Sequence, residues 1–231
     1  VAFVRATGKH VMETARDALD RGLAIPTLVG EVENIISDAE AISWNLDGVR
    51  VINAVGEREA IETSISLVNN GEVLGLIKGQ LHSDVYMGSI VRPDAGIRSN
   101  GRMIHIFAIF PPNGGRALLI SDAAVNVNPS VETRVDAALQ TAKMARKLGV
   151  KRPKIAVLSA TESVSNSIPS STEAEQIASL ARKVDKNADY AGPLSLDLAL
   201  SPRSVSSKGI TEDTLLGIVA GKADALVVPD I

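Results

Sequence analysis

The sequence predicts an α/β protein, and three observations carry that prediction. Short apolar runs that read as strands alternate with longer stretches of helical spacing, a rhythm that implies a parallel sheet with crossover helices. Aromatic residues make up 3% of a chain that is 45% hydrophobic. The core is therefore built from Ala, Val, Ile and Leu, which suits β-branched strands covered by Ala- and Leu-rich helices. At 231 residues the chain is long enough for one large domain or two moderate ones.

The elements follow in order. Residues 1–4 read as a strand, and residues 9–21 place Val11, Ala15, Ala18 and Leu19 at helical spacing. A strand at 26–30 stops at Gly30 and is followed by a helix over roughly 31–43. The pair repeats as a strand at 48–52 and a helix at 57–67, and then a strand at 73–77. Around Arg98 the rhythm changes. Residues 103–110 and 116–120 flank Pro111-Pro112-Asn113-Gly114-Gly115, which reads as an antiparallel hairpin belonging either to a second lobe or to an edge of the first sheet. Residues 131–148 form a long amphipathic helix with Ser130 as N-cap, ending at Gly149. A strand at 154–158, a helix at 173–182 and a last strand at 225–228 complete the reading. The expected organisation is a first α/β lobe over 1–100 and a second lobe with the hairpin over 101–231. The chain starts at Val1 and stops just after a strand, so a piece is expected to be missing at each end, including the C-terminal return to the first lobe.

Composition limits the partners. The net charge is −3 with mixed signs along the chain, leaving no basic stripe for a phosphate backbone, so nucleic acid is not an expected partner. No apolar run approaches the length of a membrane span and no leader opens the chain, so a cytoplasmic protein without a membrane partner is expected. There is no cysteine, which excludes disulfides, thiolate metal sites and an acyl-cysteine intermediate on this chain. The three histidines form no pair at helical spacing, and no metal site is expected.

Four segments stand out because each follows a strand, where open α/β sheets bind ligands. The first is Lys78-Gly79-Gln80-Leu81-His82-Ser83-Asp84, in which glycine lets backbone approach an anion and Ser83 with exposed amides can hold phosphate oxygens. Ser83 or Asp84 is equally read as a plain helix cap, and His82 as a solvated histidine. The second runs from Ser121-Asp122 to Asn128-Pro129, with Asn126 and Asn128 as polar anchors or as turn formers. The third, Leu158-Ser159-Ala160-Thr161-Glu162, offers Ser159 and Glu162 ahead of Ser170-Ser171-Thr172-Glu173, a composition that helix capping also explains. The fourth is Ala191-Gly192-Pro193-Leu194-Ser195-Leu196-Asp197, read as a loop shaped by Gly-Pro. Asp197 there is a site residue or a favourable charge on a helix dipole. Arg98, in Gly96-Ile97-Arg98, is a possible anion contact or a structural ion pair.

In order and spacing these segments resemble the phosphate acetyl/butyryltransferase family. Further matches are the run from Gly22 to Gly30, Gly96-Ile97-Arg98, Lys208-Gly209-Ile210 and the run from Val219 to Asp230. The resemblance covers nearly the whole chain and leans to the butyryl branch. Lys78-Gly79-Gln80-Leu81-His82-Ser83-Asp84 is nearer that branch than the His-Ser-Thr-Ala-Asp loop of acetyl-specific members, and the acetyl branch's Arg-Lys-His-Lys-Gly segment is absent.

The resemblance implies a two-lobed, mainly parallel α/β fold with helices on both faces, of the isocitrate/isopropylmalate dehydrogenase type, working as a homodimer. It implies reversible transfer of a short-chain acyl group between coenzyme A, a substrate rather than a bound cofactor, and inorganic phosphate. That reaction needs a base for the thiol, donors for the phosphate and both substrates held together. The expected phosphate or substrate contacts are His82, Ser83, Asp84, Arg98, Asn126, Asn128, Ser159 and Asp197, on turns expected to converge on one cleft. The family's catalytic Ser-Arg pair and aspartate base are expected beyond Ile231, which leaves the catalytic residues unassigned. Two rivals stand beside this reading. One is a truncated, non-catalytic module that binds acyl phosphate or coenzyme A; the other is a related-fold hydroxy-acid dehydrogenase, which needs clustered aspartates for a metal.

Overall fold

The computed structural model describes residues 1–97 and 102–230. The chain divides into two compact units, Val1–Asn100 and Gly101–Ile231, each with its own sheet.

Unit 1 runs β1 (Ala2–Val4), α1 (Lys9–Asp20), β2 (Thr27–Gly30), α2 (Val32–Ala41), β3 (Arg50–Asn53), α3 (Gly56–Asn69), β4 (Leu76–Lys78), α4 (Ser83–Val91) and a 3₁₀ turn at Pro93–Ala95. All strands are parallel in the order β3-β2-β1-β4, with Phe3 registered between Leu28 and Ile77. Every residue of β1 and β2 is buried, as expected for a parallel sheet covered on both faces. Phe3, Leu28, Met12 and Ile35 pack into one cluster, and each such buried side chain contributes about 1.5–3 kcal/mol by transfer from water. The chain leaves β1 for β2 and β3 on one side and returns through α3 to lay β4 on the other. The carboxyl ends of β1 and β4 therefore flank a topological switch point, the place where open α/β sheets leave a crevice.

Unit 2 runs β5 (Ile106–Ile109), β6 (Leu118–Ser121), α5 (Val131–Lys147), β7 (Lys154–Leu158), α6 (Pro169–Val184), β8 (Asp189–Leu194), α7 (Leu196–Leu200), α8 (Pro202–Ser207), α9 (Leu215–Val219) and β9 (Ala225–Val227). The strand order is β5-β6-β9-β7-β8, parallel except for β5, which pairs antiparallel with β6. The hairpin thus belongs to the second sheet. One face carries α5 and α6, whose Ala137, Ala138, Ala142, Ala178 and Ala181 pack on Leu119, Ile155 and Val157. The other face carries Leu198 and Val219 against Ala156 and Leu226.

Two local expectations are corrected. Gly192-Pro193 shapes no loop, because both residues lie inside β8. β8 is an edge strand, which tolerates the missing proline N–H, and a Cβ on Gly192 would sit 2.9 Å from Val157 Cβ, so glycine is what lets β8 lie against β7. The helix expected from 173 begins at Pro169, with Ile168 as N-cap. Its serines lie inside the first turn, and buried Ser171 donates to the Ile168 carbonyl at 2.7 Å. Among the described residues no helix is long and apolar enough to cross a membrane.

Candidate functional site

At the carboxyl edge of the unit 1 sheet, Arg5 follows β1 and Lys78 ends β4. Glycine at residue 79 lets the chain pass close over the end of β1 on its way from β4 into α4. Its N–H donates to the Val4 carbonyl at 2.9 Å, and a Cβ there would fall 2.5 Å from both the Val4 and Arg5 carbonyl oxygens. The Arg5 guanidinium donates to the Gln80 carbonyl at 3.1 Å, to Glu57 Oε1 at 3.3 Å and to Glu31 Oε1 at 3.4 Å. Glu31 Oε1 also accepts the Gly56 N–H at 3.0 Å, and Glu57 accepts the His82 N–H at 3.2 Å and meets His82 Nδ1 at 2.7 Å. Burial pushes both carboxyls upward, but these hydrogen bonds and the Arg5 charge outweigh it and hold each below the usual carboxylate range. A cleft of about 280 Å³ opens here, lined by Arg5, Glu57 and Lys78 to His82. Lys78 is exposed and has no ion pair among the described residues.

His82, not Ser83 or Asp84, is the N-cap of α4, and its side chain makes no capping bond. Its ring is turned to Glu57 instead. Ser83 and Asp84 occupy the exposed first turn, where an acidic group suits the helix dipole.

In unit 2, the carboxyl ends of β6, β9, β7 and β8 share one edge because those strands are parallel. After β6, Asp122 is buried and accepts the N–H groups of Ala124 and Val125 at 3.1 Å each, and the Asn126 amide binds Asp122 and the Met103 carbonyl. Asn126 therefore ties its own loop. Asn128 is exposed and takes a left-handed backbone at φ 47°, the conformation Asx residues tolerate in turns. After β7, Ser159 is buried, its Oγ 3.0 Å from Ser170 Oγ, and its N–H donates to the Leu194 carbonyl at 2.9 Å. After β8, Ser195 Oγ donates to Glu162 Oε1 at 2.6 Å, and Lys208 Nζ donates to the same oxygen at 2.5 Å. Lys208 and then Ser195 hold the Glu162 carboxyl below its ordinary value, and Ser195 first among several groups lowers Asp197. Asp197 sits in the first turn of α7, as expected.

Of the expected residues, His82, Ser83 and Asp84 lie at the unit 1 edge, and Asn126, Asn128, Ser159 and Asp197 at the unit 2 edge. Arg98 lies outside the described residues. Arg5 and Glu57 were not anticipated. Arg5 had a signal, since it stands just past a strand end; Glu57 had none beyond its place at a helix start. Among the described residues no group of three or more His, Asp or Glu is placed to hold a metal ion.

The family model of phosphate acetyl/butaryl transferase matches residues 55–231. The chain belongs to this family. It is 30% identical over 232 residues to the phosphate butyryltransferase of Clostridium acetobutylicum, covering all of this chain and 75% of that protein. It is 33% identical to the phosphate acetyltransferase of Rickettsia prowazekii, covering all of this chain and 65% of that protein. The crystal structure of a branched-chain phosphotransacylase from Enterococcus faecalis superposes with a TM-score of 0.80 at 25% identity, over all of this chain and 79% of that one. The loop from Lys78 to Asp84 falls within the stretch that the phosphate acetyl/butaryl transferase model matches, whereas Arg5 and Glu31 precede it.

Proposed function

We propose that the protein of which this chain forms a part transfers a short-chain acyl group reversibly between coenzyme A and inorganic phosphate. The observation that carries the reading is the cleft at the switch point of unit 1. There exposed Lys78 brings positive charge to a glycine-opened loop that leads into the first turn of α4, an arrangement suited to a phosphoryl group, while the Arg5 charge is met by Glu31 and Glu57. Family membership supplies the reaction class. At the two sheet edges Ser83, Asp84, Asn126, Asn128, Ser159 and Asp197 are the proposed substrate contacts; Arg98, outside the described residues, is a further proposed contact. Coenzyme A enters as substrate, not as a held cofactor. A homodimer in the cytoplasm belongs to the same reading and rests on the family resemblance. The two units are proposed as the lobes of one enzyme.

The test is thiol release from acyl-coenzyme A by the complete protein, with and without inorganic phosphate. Release that requires phosphate is expected. Equal rates in its presence and absence would remove the reading.

A further inference from the structure

We propose that His82 exchanges a proton with the phosphate substrate and that Glu57 is the positioning residue that presents it. This rests on the acyl-transfer reading above and deepens it by naming a proton path. Glu57 grips His82 at two points, its Oε2 on the backbone N–H at 3.2 Å and its Oε1 on ring Nδ1 at 2.7 Å. A single surface contact would leave the ring free to rotate; two contacts to one residue fix both its backbone and its imidazole. The carboxylate is in turn anchored by Arg5, which binds the same Oε1 at 3.3 Å and is itself tied to Gln80 and Glu31. An ionised carboxylate only accepts, so the hydrogen of the neutral ring must lie on Nδ1, and Nε2 is left as a lone pair. The ring is 78% exposed on the cleft, and Nε2 has no partner among the described residues. The charged groups around it are Glu57 from α3, Arg5 past β1, Lys78 at the end of β4 and Asp84 on the first turn of α4, with Glu31 at the head of α2 reaching it through Arg5.

The chemistry needs such a group. Hydrogen phosphate attacks the thioester carbonyl carbon through an oxygen, the C–O bond forms and the C–S bond breaks. The thiolate of coenzyme A leaves with the electron pair, and the phosphate O–H proton passes to His82 Nε2. The products are acyl phosphate dianion, thiolate and imidazolium, which balances charge and atoms; the imidazolium proton then returns to solvent or to the thiolate. In the opposite direction the imidazolium protonates the departing phosphate. Lys78 offsets part of the phosphate charge beside it.

The experiment measures kcat against pH for the complete protein at saturating acyl-coenzyme A and phosphate, with His82→Gln and Glu57→Gln alongside the parent. His82→Gln is expected to lower kcat by about 10²- to 10⁴-fold, the usual worth of a positioned acid or base. It should also remove the acid-side fall of the profile and leave the KM for acyl-coenzyme A unchanged. Glu57→Gln should lose less and displace that fall, and free imidazole should restore rate to His82→Gly. A His82→Gln enzyme within threefold of the parent, or one that keeps the acid-side fall, would overturn the proposal. Should that variant not fold, the same profile of His82→Asn decides. A parent protein without phosphate-dependent thiol release would instead defeat the acyl-transfer reading itself, so the two failures are told apart.

Discussion

Carboxylates that collect several donors recur in this protein, Asp122 and Asp185 with three partners each. Asp185 closes α6 and accepts from the Asn187 N–H at 2.9 Å, Arg146 Nη1 at 2.9 Å and the Tyr190 hydroxyl at 2.8 Å, with its side chain 13% exposed. Burial alone would raise its pKa, but the three donors outweigh it and the group is depressed. Burial, and after it the bond to Asp185, raises the pKa of Tyr190. A carboxyl with a depressed folded pKa contributes stability above its unfolded value of about 3.9 and loses it as the pH falls through the folded value. Asp185→Ala is therefore expected to cost about 1–3 kcal/mol at pH 7, since Tyr190 and Arg146 are left without an acceptor. The difference from the parent should shrink as the pH drops below about 4. Urea unfolding at pH 7 and pH 3 checks both, and a constant difference would remove Asp185 as the titrating group. The Lys208–Glu162 pair is another matter. Lys208 is 45% exposed, so Lys208→Met should leave the midpoint of the same urea experiment nearly unchanged.

At the scale of elements, the joint between β1 and β4 and the head of α5 yield opposite lessons about substitution. Gly79 is not in the left-handed region, so Gly79→Ala meets no left-handed strain. It meets two carbonyl oxygens at 2.5 Å, and backbone cannot swing aside as a side chain can. A loss of about 1–3 kcal/mol, as for overpacking, is expected with weaker binding of phosphate. At α5 the Ser130 side chain accepts the Thr133 N–H at 3.3 Å, and Ser130→Ala should cost about 0.5–2 kcal/mol while leaving the strand ends in place. Thermal unfolding of both variants reads these differences. The same two places show what was legible beforehand. The cap at Ser130, the alternation of elements and the hairpin follow from local rules that the structure leaves undisturbed. β8 was missed because its Gly-Pro step carries a loop signature that only packing against Val157 overrides, and α4 was misread because the residue that caps it is a histidine with no capping bond. The loops were found because a parallel sheet gathers its ligand-facing turns at strand ends. Arg5 and Glu57 were not, because Arg5 reaches Glu57 and Gln80 across 52 and 75 positions and Glu57 reaches His82 across 25, contacts that only tertiary folding makes.

At the scale of the whole molecule the question is whether the acyl group rests on the protein between substrates. No cysteine is present in this chain to take it up, and a serine would need an adjacent base. Two serines that follow strand ends in unit 2 have side-chain partners. Ser159 faces Ser170, which is no base, and Ser195 faces Glu162, whose carboxyl is held below its ordinary pKa by Lys208 and Ser195 and so accepts a proton poorly. The proposed acyl transfer takes direct attack of one substrate on the other, as the family resemblance implies, which requires both to be bound at once and draws its rate from their mutual placement. Initial rates measured over a grid of acyl-coenzyme A and phosphate concentrations should then give intersecting reciprocal plots. Labelled phosphate should enter acyl phosphate only when coenzyme A is present. Parallel plots, or exchange of label without coenzyme A, would mean that an acyl-protein intermediate forms.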